Sequence, residues 1–143
     1  MTQTPTKILY TASATTTGGR QGHATSSDGV LDLTLTAPKE LGGPGTGTNP
    51  EQLFAAGYAA CFNGALMLVA RAAKVDASAA QVTANIGFGP EGDGYAITAD
   101  LEVVVPGIPV EQAQQLAEAA HQVCPYSKAT RGNVPVTVRA VAA

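Results

Sequence analysis

The chain has little charge and no tryptophan. Charged side chains make up 13% of its 143 residues, against the roughly 25% that is usual for a soluble domain. Only eight residues are basic, the net charge is −3, and aromatic residues make up 5%. The sequence therefore lacks the basic patches and interleaved aromatics of nucleic-acid-binding proteins, and we expect no nucleic acid partner. Few surface charges also favour a surface that is partly buried in an oligomer.

Cysteine and histidine are scarce as well, with two of each. Cys61 and Cys124 are not in a paired short-spacing motif, and His23 and His121 do not supply one. The sequence therefore predicts no metal site, no bound cofactor and no disulfide scaffold. The N-terminal residues have no apolar run of the kind found in secretion signals. We expect a cytoplasmic protein, in which a cysteine pair is more often catalytic or redox-active than structural.

One long helix is predicted at Asn49–Lys74, and the rest of the chain is organised around it. Asn49 is a good N-cap, because its side-chain oxygen can accept from free amides of the first turn. Pro50 suits the first helical position, and Glu51 lies near the positive end of the helix dipole. Gln52 lies three residues after the cap, as in a capping box.

The body of this helix, from Leu53 to Ala70, has no charged side chain. Such a run is long enough to raise the question of a membrane span. It is rich in Ala and Gly and contains Tyr58 and Asn63, so we interpret it as a buried core helix and expect no membrane insertion. Two rows of small residues recur at four-residue steps: Ala56, Ala60 and Gly64, and Gly57, Cys61 and Ala65. Both rows would let another backbone, such as a second helix, come close.

The remaining patterns predict one α+β domain over residues 1–143, with antiparallel sheets wrapped around long central helices. A second helix is predicted to open at Pro109, to present an apolar face with Cys124 on its continuation, and to end at Pro125. A glycine-rich loop from Gly18 to Gly22 surrounds Arg20. Strands are predicted at Lys7–Thr17, His23–Ser26, Val30–Thr36, Gln81–Phe88, Tyr95–Val105 and Val134–Ala140.

The two cysteines have two interpretations on the residues alone. Buried free thiols are the common fate of cysteine. If the thiols react, Cys124 lies at a helix C-terminus, where the dipole disfavours a thiolate. Cys61 lies in mid-helix, and a low pKa there would need a cation from elsewhere in the fold. Arg20 is a candidate for that cation, although a solvated arginine in a turn is the simpler alternative.

Three motifs together resemble a known family. They read G-G-R-Q-G at 18–22, T-N-P-E-Q-L-F-A-A-G-Y-A-A-C-F at 48–62, and H-Q-V-C-P-Y-S-K-A-T-R-G-N-V at 121–134. In this order they resemble the organic hydroperoxide resistance (Ohr) proteins of the OsmC/Ohr superfamily, over nearly the whole chain. The main local difference is Lys128, where the motif usually has asparagine.

The resemblance implies a thiol peroxidase and an intertwined homodimer of the OsmC/Ohr type. It makes Cys61 the peroxidatic thiol, Cys124 the resolving thiol, and Arg20 and Glu51 the polar pair that tunes Cys61. Cys61 would be oxidised to a sulfenic acid by an organic hydroperoxide, and Cys124 would then close a disulfide. The implied reductant is dihydrolipoamide or a lipoylated protein.

Aromatic side chains near the two thiols favour an apolar substrate. We expect Phe54, Tyr58, Phe62 and Tyr126 to bind an alkyl or fatty acyl hydroperoxide better than hydrogen peroxide. Each of these residues is also an ordinary candidate for core packing.

A shared site in a homodimer follows from helix geometry. Glu51 and Cys61 are ten residues apart, which is about 15 Å of rise on one helix. If Arg20 reaches both, they belong to different copies of the helix, and an antiparallel partner crossing near Ala56 and Gly57 would bring them level. Two alternatives stay open, an OsmC-type peroxidase with a different peroxide preference and a non-catalytic dimeric binding protein.

Overall fold

The computed structural model describes residues 2–143 and divides them into two compact units, with the boundary between Leu53 and Phe54. Each unit contains one three-stranded sheet. The predicted α+β class is therefore confirmed. The assignment of the whole chain to one domain stays a prediction.

The first unit is built on an antiparallel meander. Its strands are β1 (Ala14–Thr17), β2 (Gly22–Ser26) and β3 (Asp32–Leu35), and a short 3₁₀ turn follows at Lys39–Leu41. The predicted strand Lys7–Thr17 is wrong for its first half, because Ile8, Leu9 and Tyr10 are exposed and have no strand partner among the described residues. Gly29 follows Asp28 in the turn that precedes β3 and adopts a left-handed φ of 77°, as is typical of an Asp-Gly turn between strands.

Helix α1 spans Pro50–Ala72. The predicted cap is confirmed, since the backbone N–H of Gln52 donates to Asn49 Oδ1 at 2.8 Å. The side chain of Gln52 does not reach back to close the capping box and instead accepts from the hydroxyl of Thr48 at 2.9 Å. The helix ends two residues earlier than predicted, because Lys74 has a left-handed φ of 60°.

The second unit continues from α1 into a mixed sheet. Its further elements are β4 (Gln81–Glu91), β5 (Gly94–Val104), α2 (Val110–Val123), α3 (Pro125–Thr130) and β6 (Val136–Ala140). Strands β4 and β5 form an antiparallel hairpin, but β6 pairs parallel to β5. The predicted antiparallel pairing thus holds for the other strand pairs of the two sheets and fails only between β5 and β6. Helices α2 and α3 form a crossover that returns the chain in the same direction, as parallel pairing requires.

The core of the second unit lies between α1, α2 and the sheet. Tyr58, Phe62 and Leu66 of α1 are fully buried, together with Leu101 and Val103 of β5. The apolar face predicted for α2 is confirmed by its buried residues: Ala113, Leu116, Ala117 and Ala120. This core fixes the spacing between the middle of α1 and the end of α2, where the two cysteines lie.

Candidate active site

In the first unit, a glycine-rich loop carries Arg20. Gly18 and Gly19 have left-handed φ values of 75° and 60°, and the N–H of Gln21 donates to the carbonyl of Gly18 at 3.0 Å. A Cβ at Gly22 would lie 1.8 Å from the carbonyl oxygen of Thr17. The loop conformation therefore depends on glycine on both sides of the arginine.

Arg20 forms a two-pronged ion pair with Glu51 at the start of α1. Nη1 donates to Oε1 at 2.6 Å and Nη2 donates to Oε2 at 3.1 Å. Hydrogen bonding to this carboxylate raises the pKa of the Arg20 guanidinium, so the cation stays charged. The two residues that the resemblance pairs are therefore in contact, and the Arg20 side chain is about 40% exposed while that of Glu51 is largely buried.

In the second unit, the two cysteines lie side by side. The sulfur atoms of Cys61 and Cys124 are 3.7 Å apart, and both thiols are free. Cys124 is fully buried and Cys61 is partly buried. A disulfide has an S–S length of about 2.05 Å, so a shift of less than about 2 Å would join them. Two residues that are 63 positions apart in sequence thus come into contact through their sulfur atoms.

Cys124 lies at a junction of two helices. It is the C-cap of α2 and also the N-cap of α3, where its sulfur accepts from the N–H of Ser127 at 3.5 Å. The sequence-based expectation counted only the end of α2, whereas Cys124 also lies at the start of α3. Pro125 does not simply end a helix. It occupies the first position of the next one, where its missing N–H costs nothing.

Helix α3 also provides a hydrogen bond to Cys61. Burial raises the pKa of the Cys61 thiol, a hydrogen bond from the backbone N–H of Tyr126 lowers it, and the neighbouring Cys124 raises it again. The net direction is upward. Two successive amides of α3, those of Tyr126 and Ser127, thus donate to the two neighbouring sulfurs of Cys61 and Cys124.

The structure therefore brings the predicted catalytic residues together as two pairs. Arg20 and Glu51 form one pair in the first unit, and Cys61 and Cys124 form the other in the second. Action of the first pair on a thiol stays a prediction.

The four predicted substrate-binding aromatics differ in exposure. Tyr58 and Phe62 are fully buried, whereas Tyr126 is 43% exposed and Phe54 is partly buried. Tyr58 contacts both Phe54 and Tyr126 edge to face, with ring centroids 6.0 Å apart in each pair. Substrate binding stays a prediction for all four. Because Phe54 and Tyr126 are the more exposed of the four, they are the better candidates for substrate contact, whereas Tyr58 packs against both of them and Phe62 lies in the core.

The two rows of small residues on α1 have different surroundings: one packs inside its own unit and the other is exposed. Gly57 faces its own unit, since a Cβ there would lie 3.3 Å from the ring of Tyr126. The other row is exposed and continues into apolar side chains: Ala56, Ala60, Gly64, Met67 and Leu68. By length and composition alone, helix α1 could cross a membrane. Only 28% of its most apolar stretch is buried within the protein. An apolar stripe thus runs uncovered along the helix.

A buried cluster of polar side chains lies behind Cys124 and was missed by the sequence reasoning. The hydroxyl of Tyr58 lies 2.9 Å from Ser127 Oγ and 3.1 Å from Thr130 Oγ1. His121 Nδ1 lies 2.7 Å from Ser127 Oγ. The available sequence signal was a pair of hydroxyl residues three and six positions after Cys124, Ser127 and Thr130. Their spacing does not show which residue on α1 they would contact.

Comparisons with known proteins agree with these motifs. Residues 43–139 match the family model described as OsmC-like protein. The organic hydroperoxide resistance protein of Xanthomonas axonopodis pv. citri is 53% identical over 136 residues, covering 94% of this chain and 96% of that protein.

Solved structures resemble the chain just as closely. The organic hydroperoxide resistance protein from Elizabethkingia anophelis has a TM-score of 0.88 at 49% identity, covering 96% of this chain and 99% of that one. OhrB of Bacillus subtilis has a TM-score of 0.83 at 47% identity, covering 94% of this chain and 100% of that one. The family match and these similarities establish that the chain belongs to the OsmC-like family, among its organic hydroperoxide resistance proteins.

Proposed function

We propose that this member of the organic hydroperoxide resistance proteins is a thiol peroxidase that reduces organic hydroperoxides to alcohols. The observation that carries the proposal is the 3.7 Å separation of the Cys61 and Cys124 sulfurs in the second unit, where Cys124 is fully buried and Cys61 is partly buried. Two core cysteines without a reaction would not need this approach, nor the two amide donors directed at them.

In the first step, the Cys61 thiolate attacks the outer oxygen of R–O–O–H. The O–O bond breaks, the sulfur becomes a sulfenic acid, and the leaving alkoxide takes a proton to become the alcohol. The thiolate needs support, because burial raises the pKa of Cys61. We assign Arg20 to this support, since it keeps its charge and can donate to the oxygen that gains charge. Glu51 orients its guanidinium through two hydrogen bonds.

In the second step, the Cys124 sulfur attacks the sulfur of the sulfenic acid. An S–S bond forms, the S–O bond breaks, and hydroxide leaves with the thiol proton as water. Because Cys124 already lies in contact with Cys61, this step requires little backbone movement. A dithiol reductant, such as dihydrolipoamide or a lipoylated protein, then exchanges with the disulfide and restores both thiols.

The proposal is tested by treating the reduced protein with one equivalent of cumene hydroperoxide and measuring intact mass and free thiols. We expect the loss of two hydrogens and of both thiols. Cys61→Ser should consume no hydroperoxide, whereas Cys124→Ser should consume it once and stop at a sulfenic acid that dimedone traps. If both thiols stay free in the native protein, the non-catalytic alternative replaces this one.

Substrate preference separates the proposal from an OsmC-type peroxidase with different selectivity. Two aromatic side chains that are not fully buried favour an apolar peroxide: Tyr126, whose backbone meets Cys61, and Phe54, which contacts Tyr58. We expect cumene and fatty acyl hydroperoxides to react at least about tenfold faster than hydrogen peroxide, a difference set by buried apolar area. Equal rates would favour the OsmC-type alternative.

We further propose a cytoplasmic homodimer in which the exposed stripe of α1 packs against a second copy, rather than against a bilayer or nucleic acid. In this dimer, Arg20 and Glu51 of one protomer serve Cys61 of the other. The support is the uncovered apolar stripe and the helical continuity of α1 from Glu51 to Cys61.

Mixing two inactive variants tests the shared site. If the site is shared, Arg20→Ala and Cys61→Ser protomers together form one intact site per mixed dimer, so about a quarter of all sites become active after subunit exchange. If each site belongs to one chain, every site keeps a defect and no activity returns. Sedimentation of Ala60→Glu, with Ala119→Glu on α2 as the matched control, tests the stripe itself.

A further inference from the structure

The polar cluster behind Cys124 contains more hydrogen bonds than its hydroxyl groups can donate. Four contacts link its members: Tyr58 with Ser127, Tyr58 with Thr130, His121 with Ser127, and Thr130 with the carbonyl of Ser127. The three hydroxyl groups provide one hydrogen each. The fourth hydrogen therefore comes from the ring of His121.

The direction of every bond follows from this count. Thr130 donates to the carbonyl of Ser127 at 3.2 Å, which uses its only hydrogen. Tyr58 then donates to Thr130, and Ser127 donates to the Tyr58 oxygen. The oxygen of Ser127 is left to accept, so His121 carries its proton on Nδ1 and donates to Ser127 Oγ across 2.7 Å.

This arrangement does not depend on the charge of the imidazole. Burial, and then the nearby charge of Arg131, lower the pKa of His121, which favours the neutral ring. In the neutral ring Nε2 is unprotonated, and protonation there adds a charge without removing the Nδ1–H. Arg131 also donates to the backbone carbonyl of His121 at 2.6 Å, which holds the end of α2 in place.

Ser127 joins the cluster to the thiol chemistry. Its side chain is held by His121 and Tyr58, and its backbone N–H donates to Cys124 Sγ. Ser127 and Tyr58 are both fully buried, so no water competes for these bonds. The side-chain cluster therefore fixes the amide that faces the resolving sulfur.

We propose that His121 is a positioning residue for disulfide formation, acting as an Nδ1–H donor that holds Ser127 and thereby the sulfur of Cys124 in its attacking position. The proposal rests on the peroxidase function proposed above. It predicts that loss of the His121 bond slows the second step, in which Cys124 attacks the Cys61 sulfenic acid, more than the first.

The test separates the two steps in a single turnover. The reduced protein is mixed with one equivalent of cumene hydroperoxide, and rapid quenching gives hydroperoxide loss and disulfide formation separately. We expect His121→Leu and Ser127→Ala to slow disulfide formation about tenfold, the effect of one lost buried hydrogen bond. Hydroperoxide loss should change by less than about threefold.

Two variants provide the controls. His121→Asn places an amide N–H near the position of Nδ1 and should restore disulfide formation to near the native rate. Lys128→Ala, on the exposed face of α3, should leave both steps unchanged. Equal slowing of both steps in His121→Leu, or no rescue by asparagine, would overturn the positioning role. If Ser127→Ala does not fold, the His121 variants still decide the question.

A ¹⁵N NMR spectrum of the histidine rings in the reduced native protein tests the tautomer directly. His121→Asn assigns the signals, since the chain has only two histidines. We expect the Nδ1–H form, and the Nε2–H form would refute the inference even in an active enzyme. A native protein that does not react with hydroperoxide would refute the proposed function and the kinetic role, while the tautomer result would stand separately.

Discussion

Among the described residues, two arginines each bind a carboxylate through two hydrogen bonds of similar length, but the two pairs lie in different surroundings. Arg20 meets Glu51 through two hydrogen bonds of 2.6 and 3.1 Å. Arg139 meets Asp100 through two of 3.1 and 3.0 Å. Contact geometry alone would assign both pairs the same role.

The two ion pairs differ in the backbone elements that carry them. Arg139 and Asp100 lie on the neighbouring strands β6 and β5, and Asp100 also accepts from Thr137 and Asn85. This is a network across a sheet, of the kind that stabilises strand pairing. Arg20 instead lies on a glycine loop, and glycine loses the most conformational entropy on folding. A pair that served stability alone would gain little there, so we assign Arg20 and Glu51 to chemistry and Arg139 and Asp100 to stability.

The largest expected effect is on the activity of Arg20→Ala. Loss of a cation that supports the thiolate and the leaving oxygen should lower kcat/KM for cumene hydroperoxide by about 100-fold or more. Arg139→Ala is the matched control and should retain native activity. Steady-state assays with a dithiol reductant measure both, and similar losses in the two variants would remove the distinction between the pairs.

A smaller effect is expected for Glu51→Gln. The amide keeps the size of the side chain but replaces one charge-assisted acceptor with a donor, so the guanidinium is less well oriented. We expect a loss of about tenfold in kcat/KM, consistent with one charged hydrogen bond. Glu102→Gln, which removes a carboxylate lying 3.2 Å from Arg139, should have native kinetics. Native kinetics for Glu51→Gln as well would show that the acid is not needed.

The smallest effect is a pH-dependent contribution to stability from Asp100. Hydrogen bonds from Arg139 and then Thr137 lower its pKa from 3.8 to about 2. A lowered folded pKa means that the stabilisation is present above pH 4 or so and is lost as the pH falls towards about 2. Since the side chain is 32% exposed, we expect Asp100→Asn to reduce the free energy of unfolding by only about 1 kcal/mol at pH 7.

Urea unfolding at pH 7 and at pH 2 measures this contribution. The native and Asp100→Asn proteins should differ at pH 7 and converge at pH 2, with equal peroxidase activity at pH 7. A difference that persists at pH 2 would mean that packing, rather than the ion pair, is the cause.

Local signals in the sequence predicted the helix start and the loop well. Asn49 caps α1 through its own side chain, and the Gly18–Gly22 loop is fixed by steric limits that act within a few residues. Both are decided by short-range geometry, so a pattern of neighbouring residues is sufficient to indicate them.

Other features depend on partners far along the chain. Helix α3 has six residues, too few to show a helical period, and its Pro125 is equally consistent with ending one helix and starting another. The parallel pairing of β6 with β5 depends on the path of the crossover. The contact between Tyr58 and Ser127 joins residues 69 positions apart. No pattern of neighbouring residues contains both of them, so the sequence could not indicate this contact.

The placement of two neighbouring amides on two different sulfurs also makes α3 a reporter of the oxidation state. A reduced sulfur accepts a hydrogen bond more strongly than a disulfide sulfur does, so in the cycle proposed above the N–H groups of Tyr126 and Ser127 would lose their acceptors one after the other. The signal of Tyr126 should change when Cys61 is oxidised, and that of Ser127 when Cys124 joins it. One pair of adjacent backbone resonances would then distinguish the reduced, sulfenic and disulfide forms.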